Sequence, residues 1–286
     1  MVEPFDIRTI GELYTCIKNG LKARVESYDY ESRLLLSYVL GEDPYVVYLH
    51  PERSVEEDRV SLALKMAKKR SEGVPLQYLI KTAYFMGYDF EVNENVLIPR
   101  PDTEVLVQKA LEYMDENYHV HVLDMGTGSG CIAISLALLN RCCTVDAVDI
   151  SQSALKVAKK NALRHRVEHQ IQFIHSDLFS NLSDSYHMIV SNPPYIKHEE
   201  YEFLQEEVRC FEPVQALVAN EEGLAFYKRI AGDARQFLKA GGSLLFETGY
   251  DQAAHVVSIM KENGFTGLEV TKDYNGINRV VSGIIK

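Results

Sequence analysis

Apolar positions recur every three to four residues across residues 7–72, while from about residue 120 short apolar runs alternate with helical stretches. Ile7, Ile10, Leu13, Tyr14, Ile17 and Leu21 share one helix face. A second apolar helix holds Leu34 to Leu40 and ends at Gly41. Asp43 followed by Pro44 reads as an N-cap with proline at the first helical position, opening a short helix through Leu49. Ser54 and Glu57 have capping-box spacing ahead of Val60, Ala63, Leu64 and Ala67. Lys68, Lys69 and Arg70 then sit where they offset the negative end of that helix, a better reading than a phosphate-binding patch.

Gly73 and Pro75 interrupt this pattern, and Tyr84, Phe85, Tyr88 and Phe90 around Gly87 predict a short aromatic hairpin. A helix follows over 103–113. Strands are expected at 120–125, 144–150, 171–175, 187–190 and 243–247, with helices at 131–139, 154–163 and 224–238. Such alternation implies an α/β fold, a mostly parallel sheet with helices on both faces. The runs 267–271 and 279–285 have only a turn between them and predict a C-terminal antiparallel hairpin. Three regions result: a small helical domain over 1–72, a β-hairpin linker over 73–95, and a catalytic domain over 96–286.

Composition changes this picture little. Apolar content of 46% and charged content of 25% are those of an ordinary globular protein. Net charge is more informative: it is −11, of which −2 falls in residues 1–72 and −9 in the remainder. A general duplex nucleic-acid binder needs the opposite balance. Cys16, Cys131, Cys142, Cys143 and Cys210 form no CxxC pair, so neither a zinc site nor a disulfide framework is suggested. Cys142 and Cys143 read as small apolar residues near a strand start. Glu3, Pro4 and Asp6 are unlike a secretion signal, and no uncharged stretch approaches membrane-spanning length. A cytoplasmic protein without membrane contact is expected.

The chemistry collects at strand ends. Asp124-Met125-Gly126-Thr127-Gly128-Ser129-Gly130 joins the first strand of the sheet to its first helix. Glycines at alternate positions let the backbone approach a ligand, and the helix start supplies unpaired amide donors. The run lacks the Gly-Lys-Ser/Thr of a P-loop, and its G-x-G-x-G spacing differs from the G-x-G-x-x-G of a dinucleotide fingerprint. A turn needed only for tight packing is the alternative. Asp149 ends the second strand, where a carboxylate can accept hydrogen bonds from both ribose hydroxyls; capping the next helix is its competing role, although Ser151 can do that. Asp177 ends the third strand and could meet the amino group of adenine, with Leu178 or Phe179 against the ring, or be a plain loop carboxylate.

The fourth strand end is Asn192-Pro193-Pro194-Tyr195. Two prolines stop a strand abruptly, and they leave an Asn amide, a backbone carbonyl and an aromatic face together, a constellation suited to holding a planar NH2 group. An ordinary turn is the alternative reading of Asn-Pro alone.

With Asp149, the glycine run resembles the S-adenosylmethionine site of Rossmann-like methyltransferases, and Asn-Pro-Pro-Tyr resembles the motif of those that methylate planar nitrogens. Pro75-Leu76-Gln77-Tyr78, Phe85-Met86-Gly87, the run Val96 to Glu104, Glu212-Pro213 and Asn278-Arg279-Val280-Val281 resemble the HemK-type protein-(glutamine-N5) methyltransferases. That resemblance is detailed from about residue 73 onward and extends to the helical N-terminus only in layout. It implies S-adenosylmethionine as cofactor, held by Gly126, Thr127, Gly128, Ser129, Gly130, Asp149, Asp177, Leu178 and Asn192, and no metal. It implies as substrate the glutamine of the Gly-Gly-Gln motif of class 1 peptide chain release factors, bound by Asn192, Pro193, Pro194 and Tyr195, with Asn192, Pro193 and Tyr195 catalytic. Asp102 stands where the family more often has Glu, and Leu178 where an aromatic is common. A monomer is expected.

On this reading the Asn192 side-chain carbonyl and the Pro193 backbone carbonyl accept the two N–H bonds of the substrate amide, and Tyr195 packs against its plane. An adenine-N6 methyltransferase would present the same geometry, but the acidic charge and the lack of a target-recognition domain oppose it. A ribosomal-protein glutamine as substrate stays open, and a non-catalytic cofactor-binding module conflicts with the intact amide clamp. The helical domain either recognises the protein substrate or only stabilises the enzyme.

Overall fold

A computed structural model describes residues 7–114 and 118–286; the N-terminal residues Glu3, Pro4 and Asp6 lie outside the described residues. The chain forms two compact units, Met1–Lys81 with Gln205–Phe211, and Thr82–Leu204 with Glu212–Lys286.

The first unit is helical: α1 (Ile10–Leu21), α2 (Tyr28–Leu40), α3 (Val46–Leu49), α4 (Glu57–Ser71) and α5 (Leu76–Ile80). The face expected from the spacing of Ile10, Leu13, Ile17 and Leu21 is buried against Leu35 and Leu36 of α2 and Ala63 of α4. Capping differs from expectation. The capping box belongs to α1, where Thr9 and Glu12 bond reciprocally, whereas Ser54 is taken up in a β-bridge with Thr9 and α4 starts without a side-chain cap. Asp43 accepts from Tyr45 N in a local turn, so α3 starts two residues beyond Pro44. Arg70 is not a solvated charge offsetting the helix dipole. It is buried, with Nε 2.5 Å from Glu31 and Nη1 2.8 Å from Glu207.

The second unit opens with the hairpin β1 (Ala83–Phe85) and β2 (Tyr88–Phe90), turned by Met86 and Gly87, both at positive φ. The structure places this hairpin inside the second unit, and it puts the boundary at Lys81/Thr82 rather than at 72/73. The cause is packing: Leu76 joins the core of the first unit, while Phe85 and Phe90 join that of the second. Asn161 reinforces this, exchanging hydrogen bonds with Glu91 N (2.7 Å) and Glu91 O (3.0 Å) as a neighbouring strand would.

The elements that follow are α6 (Pro101–Glu112), β3 (Val120–Met125), α7 (Cys131–Leu139), β4 (Cys143–Asp149), α8 (Gln152–His165), β5 (Ile171–His175), β6 (Tyr186–Ser191), α9 (His198–Tyr201), α10 (Glu206–Phe211), α11 (Ala225–Phe237), β7 (Leu238–Glu247), α12 (Ala253–Glu262), β8 (Thr266–Lys272) and β9 (Asn278–Ile284). α10 clusters with the first unit. The sheet order is β5-β4-β3-β6-β7-β9-β8, parallel except for β9, which is antiparallel to both neighbours. One face of the sheet packs Leu106 of α6 with Ile132 and Ile134 of α7; the other packs Tyr227 and Ile230 of α11 with Val256 and Met260 of α12. Residues 248–265, where no element is expected from the sequence, contain α12. Cys143 is buried as expected, but Cys142 is exposed.

This topology fixes the site. β3, β4 and β5 run outward to one side, then the chain returns to the other side of β3 as β6. Loops leaving β3 and β6 therefore diverge, opening a crevice at the carboxyl ends of the strands where α/β sheets bind ligands.

Candidate active site

A cavity of about 250 Å3 occupies that crevice, and its lining joins the strand ends singled out by the sequence: Gly126 and Gly128 after β3, Asp149 on β4, Asp177 and Leu178 after β5, and Asn192, Pro193 and Pro194 after β6. Gly126 and Gly128 have φ of +80° and +55°, and a Cβ on either would project into open space. Both the backbone conformation and the room for a ligand therefore call for glycine.

Thr127, Ser129 and Gly130 do not line the cavity. The Thr127 hydroxyl donates to Asp124 Oδ2 at 2.6 Å, Ser129 is buried beneath the loop, and a Cβ on Gly130 would stand 3.0 Å from Ala158 and Ile134, so Gly130 brings α7 and α8 together. They shape the loop from behind. Asp124 is fully buried, and burial pushes its carboxyl up to about 7, opposed by the hydrogen bonds from Thr127 and Ala133 N.

Asp149 accepts from Gly128 N at 2.9 Å and from Ser151 N at 2.8 Å, which ties the glycine loop to the β4 end. Burial raises its pKa and the backbone donors oppose that shift. Ser151, not Asp149, caps α8 by accepting from Ala154 N. Asp177 forms a two-pronged pair with Arg229 of α11 at 2.9 and 3.0 Å. Of the two candidates for a ring contact, Leu178 faces the cavity, whereas Phe179 is buried and stacks on Phe237.

Asn192 donates from Nδ2 to Thr103 Oγ1 of α6 at 3.1 Å. Tyr195 is outside the cavity lining; its carbonyl accepts from Gln252 Nε2 at 2.9 Å, and burial holds its hydroxyl far above the usual phenol range. Several lining residues were not legible in the sequence as such: Ile150, Phe226, Arg229 and the stretch Asn95 to Leu97. That stretch is set by Glu212, whose buried carboxylate accepts from Ile98 N at 3.1 Å and pairs with Arg100. Two motifs quoted separately from the sequence, Val96 to Glu104 and Glu212-Pro213, are thus one structural device. Complementary charge was the available signal, but nothing local links residues 112 apart.

S-adenosylmethionine fits this lining. Glycine backbone leaves space for the amino-acid chain, the Asp149 carboxylate ends a strand where ribose hydroxyls would lie, and Leu178 with Ile150 offers apolar surface for a base. Among the described residues no His, Cys, Asp and Glu group could hold a metal ion.

Comparison with known proteins gives concordant results. A model described as "PrmC N-terminal domain" matches residues 12–80 and one described as "Methyltransferase small domain" matches 102–211. Proteins named release factor glutamine methyltransferase are similar along nearly the whole chain. The one from Clostridium acetobutylicum is 37% identical, covering 91% of this chain and 92% of its own; that from Geobacter sulfurreducens is 38% identical, covering 100% of both. Among solved structures, a methyltransferase from Pyrococcus furiosus superimposes with a TM-score of 0.54 at 14% identity, covering 80% of this chain and 98% of that one. The hMettl16 catalytic domain in complex with the MAT2A 3′UTR hairpin 6 gives 0.58 at 16% identity, covering 87% and 91%. At such identities these two show the fold alone.

Proposed function

The chain belongs to the family of release factor glutamine methyltransferases, and on that premise we propose that it methylates the side-chain amide nitrogen of the glutamine in the Gly-Gly-Gln motif of class 1 peptide chain release factors. Its cofactor is S-adenosylmethionine, which when bound supplies an electrophilic methyl carbon on a positively charged sulfur. One observation carries the reading: Asn192, Pro193 and Pro194 line the same cavity as the glycine loop and Asp149.

An amide nitrogen is a poor nucleophile because its lone pair is delocalised into the carbonyl, so the residues act chiefly by orientation. Asn192 Oδ1 and the Pro193 carbonyl accept the two N–H bonds of the substrate amide and aim its nitrogen into the cavity. The same acceptors favour the positive charge that grows on that nitrogen. Its proton then passes to water, since a protonated amide is a strong acid. Orientation of this kind is worth up to roughly 7–11 kcal/mol of barrier.

We assign substrate recognition to the helical unit. There Arg33 lies 5.7–5.9 Å from the rings of Tyr30, Tyr45 and Tyr48, each more than half exposed, a grouping typical of binding hot spots. The enzyme acts as a monomer in the cytoplasm and contacts no nucleic acid on this reading; none of the described helices is long and apolar enough to cross a membrane.

The test is incubation with radiolabelled S-adenosylmethionine and purified release factors, followed by mass mapping. Label on the Gly-Gly-Gln glutamine is expected. Label on a ribosomal-protein glutamine instead, or on adenine, would replace the substrate. Changing Tyr30 and Tyr45 together to Ser should raise KM for the whole factor several-fold and leave kcat unaltered; an unchanged KM removes the recognition role.

A further inference from the structure

Asn192 can present either end of its amide to the cavity, and catalysis needs the carbonyl end there. Its setting differs sharply on the two sides. Toward the cavity are the glycine loop and the Asp149 strand end; away from it are the Thr103 hydroxyl and, beside both side chains, the carboxyl of Glu247. The backbone imposes this neighbourhood. In the parallel pair of β6 and β7, Ser191 stands opposite Phe246, so Asn192, just past β6, and Glu247, the last residue of β7, stand side by side at the sheet's end. Thr103, in the first turn of α6 and 2% exposed, lies against both side chains.

Glu247 is an unusual buried acid. It is 1% exposed, its Oε2 has no hydrogen-bond partner, and among the described residues no cation pairs with it directly. Such a group is costly unless it has a task. Nor does the strand require a carboxylate there, because the ladder to Val280 of β9 and the bond from Tyr227 OH to the Glu247 carbonyl use backbone alone.

We propose that Glu247 and Thr103 are positioning residues that hold the Asn192 NH2 group away from the cavity and thereby turn its carbonyl toward the substrate amide. A flipped Asn192 would set its oxygen against a hydroxyl whose proton is engaged by the Glu247 carboxylate, and against that carboxylate itself, which as an ion only accepts. The ionised form of Glu247 therefore fixes one orientation. Protonation gives it a donor that competes for the Asn192 oxygen, and the constraint is lost.

Burial pushes the Glu247 carboxyl up to about 7; Thr103, Arg279 and Asn192 oppose that shift and Asp102 reinforces it. Of the other titratable groups facing it, Tyr195, Tyr227 of α11 and Cys131 of α7 are raised by burial and stay neutral, and Arg279 stays charged. Glu247 is then the group beside Asn192 whose charge changes near neutrality; Asp124, also near 7, is bonded to Thr127 and Ala133 N behind the glycine loop.

The inference rests on the functional reading above, and its test separates the two. Full-length wild type, Glu247→Gln, Thr103→Val and Thr103→Ser are assayed for kcat on a whole release factor from pH 6 to 9, and for S-adenosylmethionine affinity by calorimetry. Glu247→Gln imitates the protonated acid, so kcat should fall roughly 10- to 100-fold at pH 8.5 and lose its acid limb, the two profiles converging toward pH 6, with cofactor affinity unchanged. Thr103→Val should lose about tenfold, and Thr103→Ser should recover most of it. If Glu247→Gln keeps the wild-type rate and limb, or fails to fold while Thr103→Val is fully active, this inference is overturned. If the wild type places no methyl on glutamine, the functional reading falls and takes this one with it.

Discussion

Arg70 in the helical unit and two acids in the catalytic unit show opposite ways of handling a buried charge. In the helical unit Arg70 is closed on all sides: Glu31 accepts from its Nε and Nη2, Glu207 lies beside Nη1, and the Val74 carbonyl accepts from Nη1 as well. In the catalytic unit Asp124 and Glu247 are as deeply buried, yet Asp124 Oδ1 and Glu247 Oε2 have no partner. A saturated buried pair does architectural work, because every polar atom is answered within the fold. An unsaturated buried acid keeps capacity in reserve. Beside a site it is an acceptor held in low dielectric, at a cost in stability.

The largest effect should come from the clamp that the unsaturated side serves. Asn192→Ala should lower methyl transfer on the order of 1000-fold or more while leaving cofactor affinity within a few-fold, and a fully active variant would break the assignment. Next in size is the saturated pair. Arg70→Ala leaves the buried Glu31 without a cation, its carboxylate answered among the described residues only by the Ser27 hydroxyl, which should cost about 3–5 kcal/mol in urea unfolding, whereas replacing Arg70 and Glu31 together by Met and Leu should restore most of it. A small loss in the single variant would mean that the pairing is not what stabilises the helical unit.

The third prediction uses pH. The folded pKa of Glu247, about 7, lies above its unfolded value of 4.5, so between these values the native state holds a proton that the unfolded chain has released. Stability therefore falls as pH rises through that window, is level below it, and carries the full penalty above it. Glu247→Gln removes that term, so its stability relative to wild type should improve by roughly 3 kcal/mol between pH 4.5 and 8. A pH-independent difference would show that Glu247 ionises normally. The smallest effect concerns Asp149, whose oxygens are already satisfied by Gly128 N and Ser151 N. Asp149→Ala should weaken S-adenosylmethionine roughly 10- to 100-fold, and unchanged affinity by calorimetry would remove the ribose role.

What could be read in advance follows the range of the interactions. The glycine loop, the Asn-Pro-Pro turn and the strand-end aspartates are local devices, set by φ, by proline and by a strand's end, so short runs of sequence announce them. Capping was harder even at short range: Ser54 and Glu57 carry the right spacing, but Ser54 is engaged by Thr9, forty-five residues earlier. α12 is legible at short range too, since Ala253, Val256, Ile259 and Met260 have helical spacing, although no element is expected over 248–265.

The sequence by itself determined the α/β alternation, the C-terminal antiparallel hairpin, and the strand ends bearing Gly126, Asp149 and Asn192, because each is encoded by neighbours along the chain. Only the tertiary structure decided which of those residues reach the cavity, that Thr127 and Gly130 support the loop from behind, and that the aromatic hairpin belongs to the catalytic unit. It alone brought Thr103, Asn192 and Glu247 together. The order β3-β6-β7 juxtaposes segments far apart in sequence, and burial turns an ordinary glutamate into an acid poised near neutrality. Neither adjacency across a sheet nor loss of solvent is written in the spacing of residues.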